Sequence, residues 1–313
     1  MQKLKIEKIE KITLSEWSAV KLKRCGKVSE ILYSAKGKSQ GGYIKKISKE
    51  QYIDTRTGEV CDFQHIKNRA DDKQNVSKTL SKGRDLINCN ITDNSRVRWV
   101  TLTYAENMTN PERLYLDFKH FNEKLRKIYG KYEYITCAEP QARGAWHLHC
   151  LLIFPDIAPF IPNSELANIW RKGFVKIQKL DNVDNVGAYL TAYLGDFELA
   201  PNSEYVGIGK IKELEFIDGN GQKTKKRFIK GGRLWMYPPN FHIFRWSRGI
   251  KSPEIDYTDY KTAKEKAGSV KPTFSKTVRI STGDYVNELQ YEYYHCNTDL
   301  RKNQEFDEKN NIT

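Results

Sequence analysis

Hydrophobic and polar residues follow their most regular patterns between residues 96 and 180. Apolar residues recur there at spacings of four and three in a segment that begins after Asn110-Pro111 and ends at Gly130, which predicts an amphipathic helix. These residues are Leu114, Phe118, Phe121, Leu125 and Ile128. Four other segments are short and rich in β-branched and aromatic side chains, which is typical of strands. They are RVRWVTLTY (96–104), KYEYITCAE (131–139), WHLHCLLIF (146–154) and FVKIQKL (174–180).

Two further helices complete the pattern of this region. A short capped helix is predicted for NSELANIWRKG (163–173), and another for roughly residues 184–195. The elements up to the fourth strand therefore follow the order β-α-β-β-α-β. This order predicts an α+β protein of ferredoxin-like fold, in which one antiparallel sheet carries its helices on one face.

The flanking segments carry weaker patterns, and residues 1–50 are rich in lysine with little regularity. A helix is predicted within residues 75–90, and hairpins are predicted at Thr57-Gly58, at 218–221 and around 281–284. We expect three parts in the chain. They are an N-terminal extension that packs on the core (1–95), the main domain with a basic and aromatic hairpin region (96–250) and a polar C-terminal tail (251–313).

The composition narrows the class of partner. The 313 residues include 53 Lys and Arg against 39 Asp and Glu, a formal net charge of +14, which favours a polyanionic partner. No signal peptide and no apolar run near the ~18 residues that span a bilayer are evident, so we expect a cytoplasmic protein that binds nucleic acid and no membrane. The six cysteines form no CxxC pair, which favours reduced thiols over a zinc or disulfide framework.

The strand at 146–154 carries two histidines one residue apart. Because side chains alternate along a strand, His147 and His149 share one face, and the apolar residues between and beyond them face the core. The loop 142–144 is a natural three-residue connection to the preceding strand, because its glycine tolerates a positive φ. In that register Glu139 lies opposite His147, and Cys137 lies opposite His149.

This register places one carboxylate and two imidazoles together on a sheet face. Two neutral nitrogens and one anionic oxygen, with positions left open, suit a divalent ion that also contacts a phosphate. Mn²⁺ or Mg²⁺ suits such a role, and Zn²⁺ is compatible with the same ligands. The alternative is that Glu139, His147 and His149 are ordinary residues of a solvated sheet face.

Two tyrosines lie four residues apart in the helix predicted after the last strand. Tyr189 and Tyr193 share one face of that helix. A phenol near a metal-bound phosphodiester can attack phosphorus, although its pKa near ~10 requires help from a metal or a neighbouring group. The simpler interpretation is that both rings are half buried with their hydroxyls in water.

Basic and aromatic residues are interleaved between residues 223 and 248. Cations that hold phosphates and rings that stack on bases are typical of sites for single-stranded DNA. The candidate cations are Lys223, Lys225, Lys226, Arg227, Lys230, Arg233, Arg245 and Arg248, and the rings are Trp235, Tyr237, Phe241, Phe244 and Trp246. The alternatives are a solvated hairpin arm and a small satellite core. Lys21, Lys23 and Arg24 form another basic cluster, for which a solvated surface is the simpler interpretation.

Three of these segments appear in a characteristic order: WVTLTYAEN, then HLHCLLIF with a glutamate eight residues before its first histidine, then YLTAYL. In this respect the chain resembles the HUH endonucleases, and above all the replication initiators of rolling-circle plasmids and single-stranded DNA phages. The resemblance extends over roughly residues 43–250.

The resemblance implies a role for each matched residue. His147, His149 and Glu139 would hold a divalent metal, Mn²⁺ or Mg²⁺, and Tyr189 or Tyr193 would be the nucleophile that nicks and rejoins origin DNA through a 5′-phosphotyrosine. Many members have a lysine three residues after the tyrosine, whereas Ala192 and Asp196 occupy those positions here.

The chain carries no GxxxxGK[ST] phosphate loop, so strand separation would need a partner helicase. Two alternatives stay open. The chain could be another HUH enzyme, a relaxase or a transposase. It could also be a noncatalytic DNA-binding regulator of replication or transcription on the same scaffold, which predicts metal-independent binding and no covalent adduct.

Overall fold

The computed structural model describes residues 5–37, 44–55, 57–63, 73–141, 143–180, 197–198, 211–217, 223–229, 233–238, 240–268, 271–282 and 285–295. The chain divides into two compact units. Residues 1–65 and 252–313 form one, the terminal unit, and residues 66–251 form the other, the central unit. The architecture is α+β, and its sheets are antiparallel.

The helices of the described residues are α1 (Lys73–Asn90), α2 (Pro111–Tyr129), α3 (Asn163–Trp170) and α4 (Tyr260–Lys266), with short 3₁₀ turns at Asn94–Arg96 and Leu234–Met236. The strands are β1 (Lys5–Lys8), β2 (Ala19–Cys25), β3 (Val28–Ser34), β4 (Ile44–Lys46), β5 (Gln51–Asp54), β6 (Val60–Asp62), β7 (Val97–Leu102), β8 (Glu133–Pro140), β9 (Trp146–Ile153), β10 (Val175–Gln178), β11 (Phe197–Glu198), β12 (Ile211–Ile217), β13 (Lys223–Ile229), β14 (Phe244–Trp246), β15 (Glu254–Asp259), β16 (Phe274–Thr282) and β17 (Tyr285–His295).

A five-stranded sheet, in the order β10-β7-β9-β8-β14, is the frame of the central unit. Its first four strands and two helices follow one another along the chain as β7, α2, β8, β9, α3 and β10, which is the order predicted from the sequence. The strands β8 and β9 form the hairpin at the centre of this order and are paired over eight residue pairs. The hairpin predicted at 218–221 is also present, as β12 paired with β13.

The two faces of this sheet are covered differently. On one face α2 and α3 pack over an apolar layer, where Phe118 of α2 meets Tyr134 of β8 edge to face at 5.1 Å between ring centroids. On the other face lies α1, whose Gly83 is so close to the ring of Phe244 that a Cβ there would fall 2.4 Å from it. The helices between the strands thus share one face, as predicted, and the additional helix α1 lies on the opposite face.

Helix α2 begins and ends where its sequence indicates. The Asn110 side chain accepts hydrogen bonds from the backbone N–H groups of Glu112 and Arg113 at 2.8 and 3.1 Å, and Gly130 follows the last turn with a φ of 78°. Four of the five predicted apolar residues are buried, but Ile128 is 55% exposed because the stripe leaves the core in the last turn. The cap predicted for α3 is not made by a side chain, since Asn163 instead accepts from the N–H of Ile177 on β10.

The terminal unit is built around a six-stranded sheet in the order β1-β16-β17-β3-β2-β15. One face of this sheet packs on α4, with Val20, Leu22, Ile31 and Tyr294 buried against Ala263 and Ala267. Glu292 lies in the same layer and accepts hydrogen bonds from the hydroxyls of Tyr260 and Tyr294. Burial opposes ionisation of this carboxyl, but those hydrogen bonds and one from Lys11 lower its pKa below the usual value.

This division differs from the three parts expected from the sequence. Residues 252–295 pair with the N-terminal strands in one sheet, and residues 73–95 belong to the central unit. The strands β2 and β3 fall in the segment with little regularity, and they form a hairpin whose two-residue turn has Gly26 at a φ of 59°. The hairpins predicted at Thr57-Gly58 and around 281–284 are present, as β5 with β6 and β16 with β17.

Five cysteines of the described residues are free thiols, and three of them, Cys25, Cys137 and Cys150, are buried. Among the helices that the structure describes, none has both the length and the apolar character needed to cross a membrane.

Candidate metal centre

The β8–β9 hairpin has the register that the sequence predicted. Gly144 has a φ of 92°, and the N–H of Gln141 donates to the carbonyl of Ala145 at 2.8 Å. As a result Glu139 lies opposite His147, and Cys137 lies opposite His149. Arg143 in the loop donates to the carbonyls of Tyr104 and Ala105, so the hairpin is fixed to the segment that follows β7.

Glu139, His147 and His149 converge on one point of the sheet face. Oε2 of Glu139 lies 3.0 Å from Nε2 of His147 and 3.2 Å from Nε2 of His149, and the two nitrogens lie 3.0 Å apart. The apolar residues that alternate with the histidines along β9 are almost completely buried in the core on the other face. The alternation of β9 therefore separates the core from the cluster, as predicted.

Burial and hydrogen bonding set the charge of the cluster. Burial alone would raise the pKa of Glu139, but the hydrogen bonds with His147 and His149 lower it to about 2, so the carboxylate is ionised. Burial also lowers the pKa of His147, despite the opposing effect of Glu139. At neutral pH the cluster therefore offers an anionic oxygen and a neutral imidazole, which are the protonation states of metal ligands.

Two side chains outside the hairpin orient these groups. Nη1 of Arg233 donates to Oε1 of Glu139 at 2.7 Å, which leaves Oε2 directed at the histidines. Oγ1 of Thr101 on β7 lies 3.3 Å from Nδ1 of His149, and Trp99 meets the same imidazole edge to face at 5.9 Å between ring centroids. Partners of this kind fix the orientation and tautomer of a ligating histidine.

The donor atoms fit a divalent ion. Metal–nitrogen and metal–oxygen bonds of about 2.0–2.2 Å that meet at right angles place neighbouring donors about 3 Å apart. The three observed separations of 3.0, 3.0 and 3.2 Å agree with that value. Within the described residues, this is the group of His, Cys, Asp and Glu side chains with the spacing of a metal site. The structure therefore brings together the three residues that the sequence predicted as ligands.

Residues 97–198 match the family model of the replication-associated proteins of the ORF2 type. The match covers about a third of the chain and spans Glu139, His147 and His149, and also Tyr189 and Tyr193. It is consistent with a replication initiator and indicates a replication-related protein that interacts with DNA. None of the curated proteins matches this sequence.

The predicted nucleophiles cannot be located relative to the cluster. Tyr189 and Tyr193, together with the helix predicted at 184–195, lie outside the described residues. Lys230 lies outside them as well. Lys223, Lys225, Lys226 and Arg227 are on β13, but their side chains are not among those described.

The other predicted DNA-binding residues are spread over the central unit. Arg233 contacts Glu139 and so lies at the cluster, whereas Arg245 stacks on Tyr115 of α2, on the sheet face opposite the histidines, at 3.3 Å from the ring centroid. Arg248 is exposed in the loop after β14.

The aromatic residues of this segment do not all have the exposure that base stacking requires. Tyr237, Phe241 and Phe244 are buried in the core, so for these three rings the satellite-core interpretation is correct. Trp235 and Trp246 remain exposed, at 64% and 38%.

Sequence reasoning missed two residues of the centre and assigned a third to another role. Thr101 and Trp99 lie on β7, and their proximity to His149 depends on the β7–β9 register, in which Thr101 is paired with His149. Alternation along β7 would have identified both residues once that pairing was known. Arg233 is separated from Glu139 by 94 positions along the chain, and no local pattern signals that contact.

Proposed function

We propose that this protein is a rolling-circle replication initiator that nicks and rejoins single-stranded DNA at the origin of a plasmid or phage. The observation that carries the proposal is the Glu139–His147–His149 cluster, which lies within the segment that matches a replication-associated family. The fold supports it as well. The order β10-β7-β9-β8 with crossover helices α2 and α3 is that of a ferredoxin-like sheet, and we infer the HUH endonuclease type of that fold.

The chain's own residues would prepare the site in a defined way. Glu139, through Oε2, and His147 and His149, through Nε2, would hold a divalent ion, Mn²⁺ or Mg²⁺. When bound, this ion supplies positive charge that offsets the charge developing on the scissile phosphate. Thr101 keeps the proton of His149 on Nδ1, and Arg233 holds the second oxygen of Glu139.

The proposed bond exchange needs no external energy source. The phenol oxygen of Tyr189 or Tyr193 attacks phosphorus in line, the bond from phosphorus to the 3′ oxygen breaks, and that oxygen leaves as a 3′-hydroxyl. The 5′-phosphate remains on the tyrosine as a diester, so a later 3′-hydroxyl can reverse the exchange and rejoin the strand. A separate helicase would open the duplex, and the free thiols agree with a cytoplasmic site of action.

The positive charge of the central unit supports binding of the DNA strand. Residues 66–251 contain 30 Lys and Arg against 20 Asp and Glu, which places ten of the fourteen net positive charges in the unit that carries the cluster. We propose that the strand is held by the basic residues of this unit, namely Lys223, Lys225, Lys226, Arg227, Lys230, Arg233, Arg245 and Arg248.

The test is formation of a covalent adduct. The protein is incubated with Mn²⁺ or Mg²⁺ and single-stranded circular DNA from its own replicon, and protein–DNA species that survive denaturation are counted. We expect an adduct with the wild type, none with His147→Ala, and an undiminished yield with His120→Ala, which removes an exposed imidazole from α2. Tyr189→Phe, Tyr193→Phe and the double variant identify the attacking phenol.

Two outcomes would reject the proposal. One is an adduct that still forms in His147→Ala. The other is metal-independent DNA binding by the wild type with no adduct on any segment of the replicon, which is the behaviour of a noncatalytic regulator.

A further inference from the structure

The second face of the terminal unit's sheet is open and carries aromatic residues. Tyr257, Phe274, Tyr285 and Tyr291 lie on it and are between 42% and 59% exposed, whereas the opposite face packs on α4. Pairing between strands places residues of one row side by side on this face. From β15 to β16, the central row is Tyr257, Lys21, Leu32, Tyr291 and Lys276. We call this surface the tyrosine face.

We propose that the tyrosine face binds single-stranded DNA, independently of the metal centre in the central unit. Aromatic rings on an open antiparallel sheet can stack on successive unpaired bases, and lysines between them can contact the phosphates. Tyr257 and Tyr291 are three strands apart, which corresponds to about 14 Å at the usual spacing between strands. The row therefore offers two stacking platforms with Lys21 between them and Lys276 beyond.

A recess at one corner of the face adds a second set of rings and cations. It has a volume of about 680 Å³, and its lining includes Trp17, Lys21, Tyr257 and Tyr285. Trp17 is 79% exposed, and Nζ of Lys36 lies 4.6 Å from the centroid of the Tyr285 ring. The volume lies within the range of small-ligand clefts, so the recess can hold a nucleotide.

The charges on the tyrosine face favour a polyanion over a second copy of the chain. A symmetric dimer would place this face against itself and would bring Lys21 and Lys276 into one desolvated interface of like charge. The acidic groups on the same face are already engaged. Glu30 pairs with Lys23 at 2.7 Å, and Asp259 accepts from the N–H of Thr262 at the start of α4. Recognition of a single strand follows from this surface alone, and only the choice of DNA over RNA rests on the proposed function.

The experiment measures binding of a fluorescein-labelled 20-residue oligo(dT) to the full chain by anisotropy, in EDTA so that the metal centre does not contribute. We expect Tyr257→Ala with Tyr291→Ala to weaken binding by at least about tenfold. The double Phe variant keeps the rings and should bind like the wild type. Phe160→Ala removes a ring that is 80% exposed in the central unit, and it should have no effect. The charge variant Lys21→Ala with Lys276→Ala should lower the salt slope of log K by about 1.4.

Crosslinking identifies the surface directly. An oligonucleotide with 5-iododeoxyuridine should crosslink to Tyr257, Phe274 or Tyr291, and crosslinks confined to residues 66–251 would overturn the proposal. Unchanged dT affinity in the double alanine variant would overturn it as well, and a change in sedimentation at unchanged affinity would identify the surface as a dimer interface. Tighter binding of oligo(rU) than of oligo(dT) would reassign the face to RNA. A chain that forms no covalent adduct but loses dT binding in this variant retains the inference while the nicking proposal fails.

Discussion

Replacement of Glu139 by Gln tests whether its carboxylate holds the cluster together. The amide has nearly the same shape and can still accept from Arg233 through Oε1, so the change removes the negative charge and little else. The guanidinium of Arg233 is left without its counter-charge at a place where its side chain is 16% exposed. The cluster also loses its anionic metal ligand.

The size of the effect follows from the structure by two routes. Depression of the Glu139 pKa from 4.5 to about 2 corresponds to about 3 kcal/mol of folding free energy at pH 7. Removal of one partner from a buried ion pair costs about 3–5 kcal/mol, which is reduced to about 2–4 kcal/mol here because both side chains retain some contact with water. A loss near 3 kcal/mol lowers the melting temperature of a unit of this size by about 5–10 °C.

The assay is thermal unfolding of the metal-free protein in EDTA, repeated with Mn²⁺. Wild type should gain about 2.7 kcal/mol when free Mn²⁺ is at 100 times its Kd, and Glu139→Gln should gain much less at the same concentration. The matched control is Glu133→Gln on the same strand and the same face, because that carboxylate accepts from the N–H of Gly249 and takes no part in the cluster. If Glu139→Gln melted with the wild type and kept its Mn²⁺ shift, the carboxylate would be neither a counter-charge nor a ligand.

Two further predictions concern stability. Gly83→Ala places a Cβ 2.4 Å from the ring of the buried Phe244, so overpacking of about 1–3 kcal/mol should outweigh the gain in helix propensity of about 1 kcal/mol, and urea unfolding should show a net loss; a higher midpoint would contradict the close packing of α1 on β14. Although burial opposes it, hydrogen bonding lowers the pKa of Glu292, so its contribution to the terminal unit is complete above pH 4.5 and is lost as pH falls through the lowered folded-state value. Hydrogen exchange of β16 and β17 peptides should therefore accelerate in acid for the wild type, and Glu292→Gln should show a smaller pH dependence.

The sequence predicted the central unit well because its elements are local. Alternation along β9, the glycine with positive φ in the hairpin loop and the apolar spacing of α2 are each readable within about 20 residues, and together they place Glu139 beside both histidines. The metal ligands could be predicted for the same reason, since one hairpin supplies all three.

Features that depend on distant pairing escaped prediction. The contact of Arg233 with Glu139 joins segments 94 positions apart. The terminal sheet joins β2 to β15 across more than 200 residues, so residues 1–50 and 251–313 were interpreted as an extension and a tail. Short strands such as β2 also place lysines on their exposed face, which hides the alternation of Val20 and Leu22.

The pairing of both chain ends in one sheet sets the order in which the protein can mature during translation. Residues 66–251 have all left the ribosome before β15, β16 and β17 are synthesised, so the central unit can form its sheet while the chain is still growing. The strands β2 and β3 must wait for their partners from the far side of that unit. A nascent chain that stalls before residue 252 can therefore carry the complete metal-ligand cluster, but it lacks most of the surface proposed here to bind the strand.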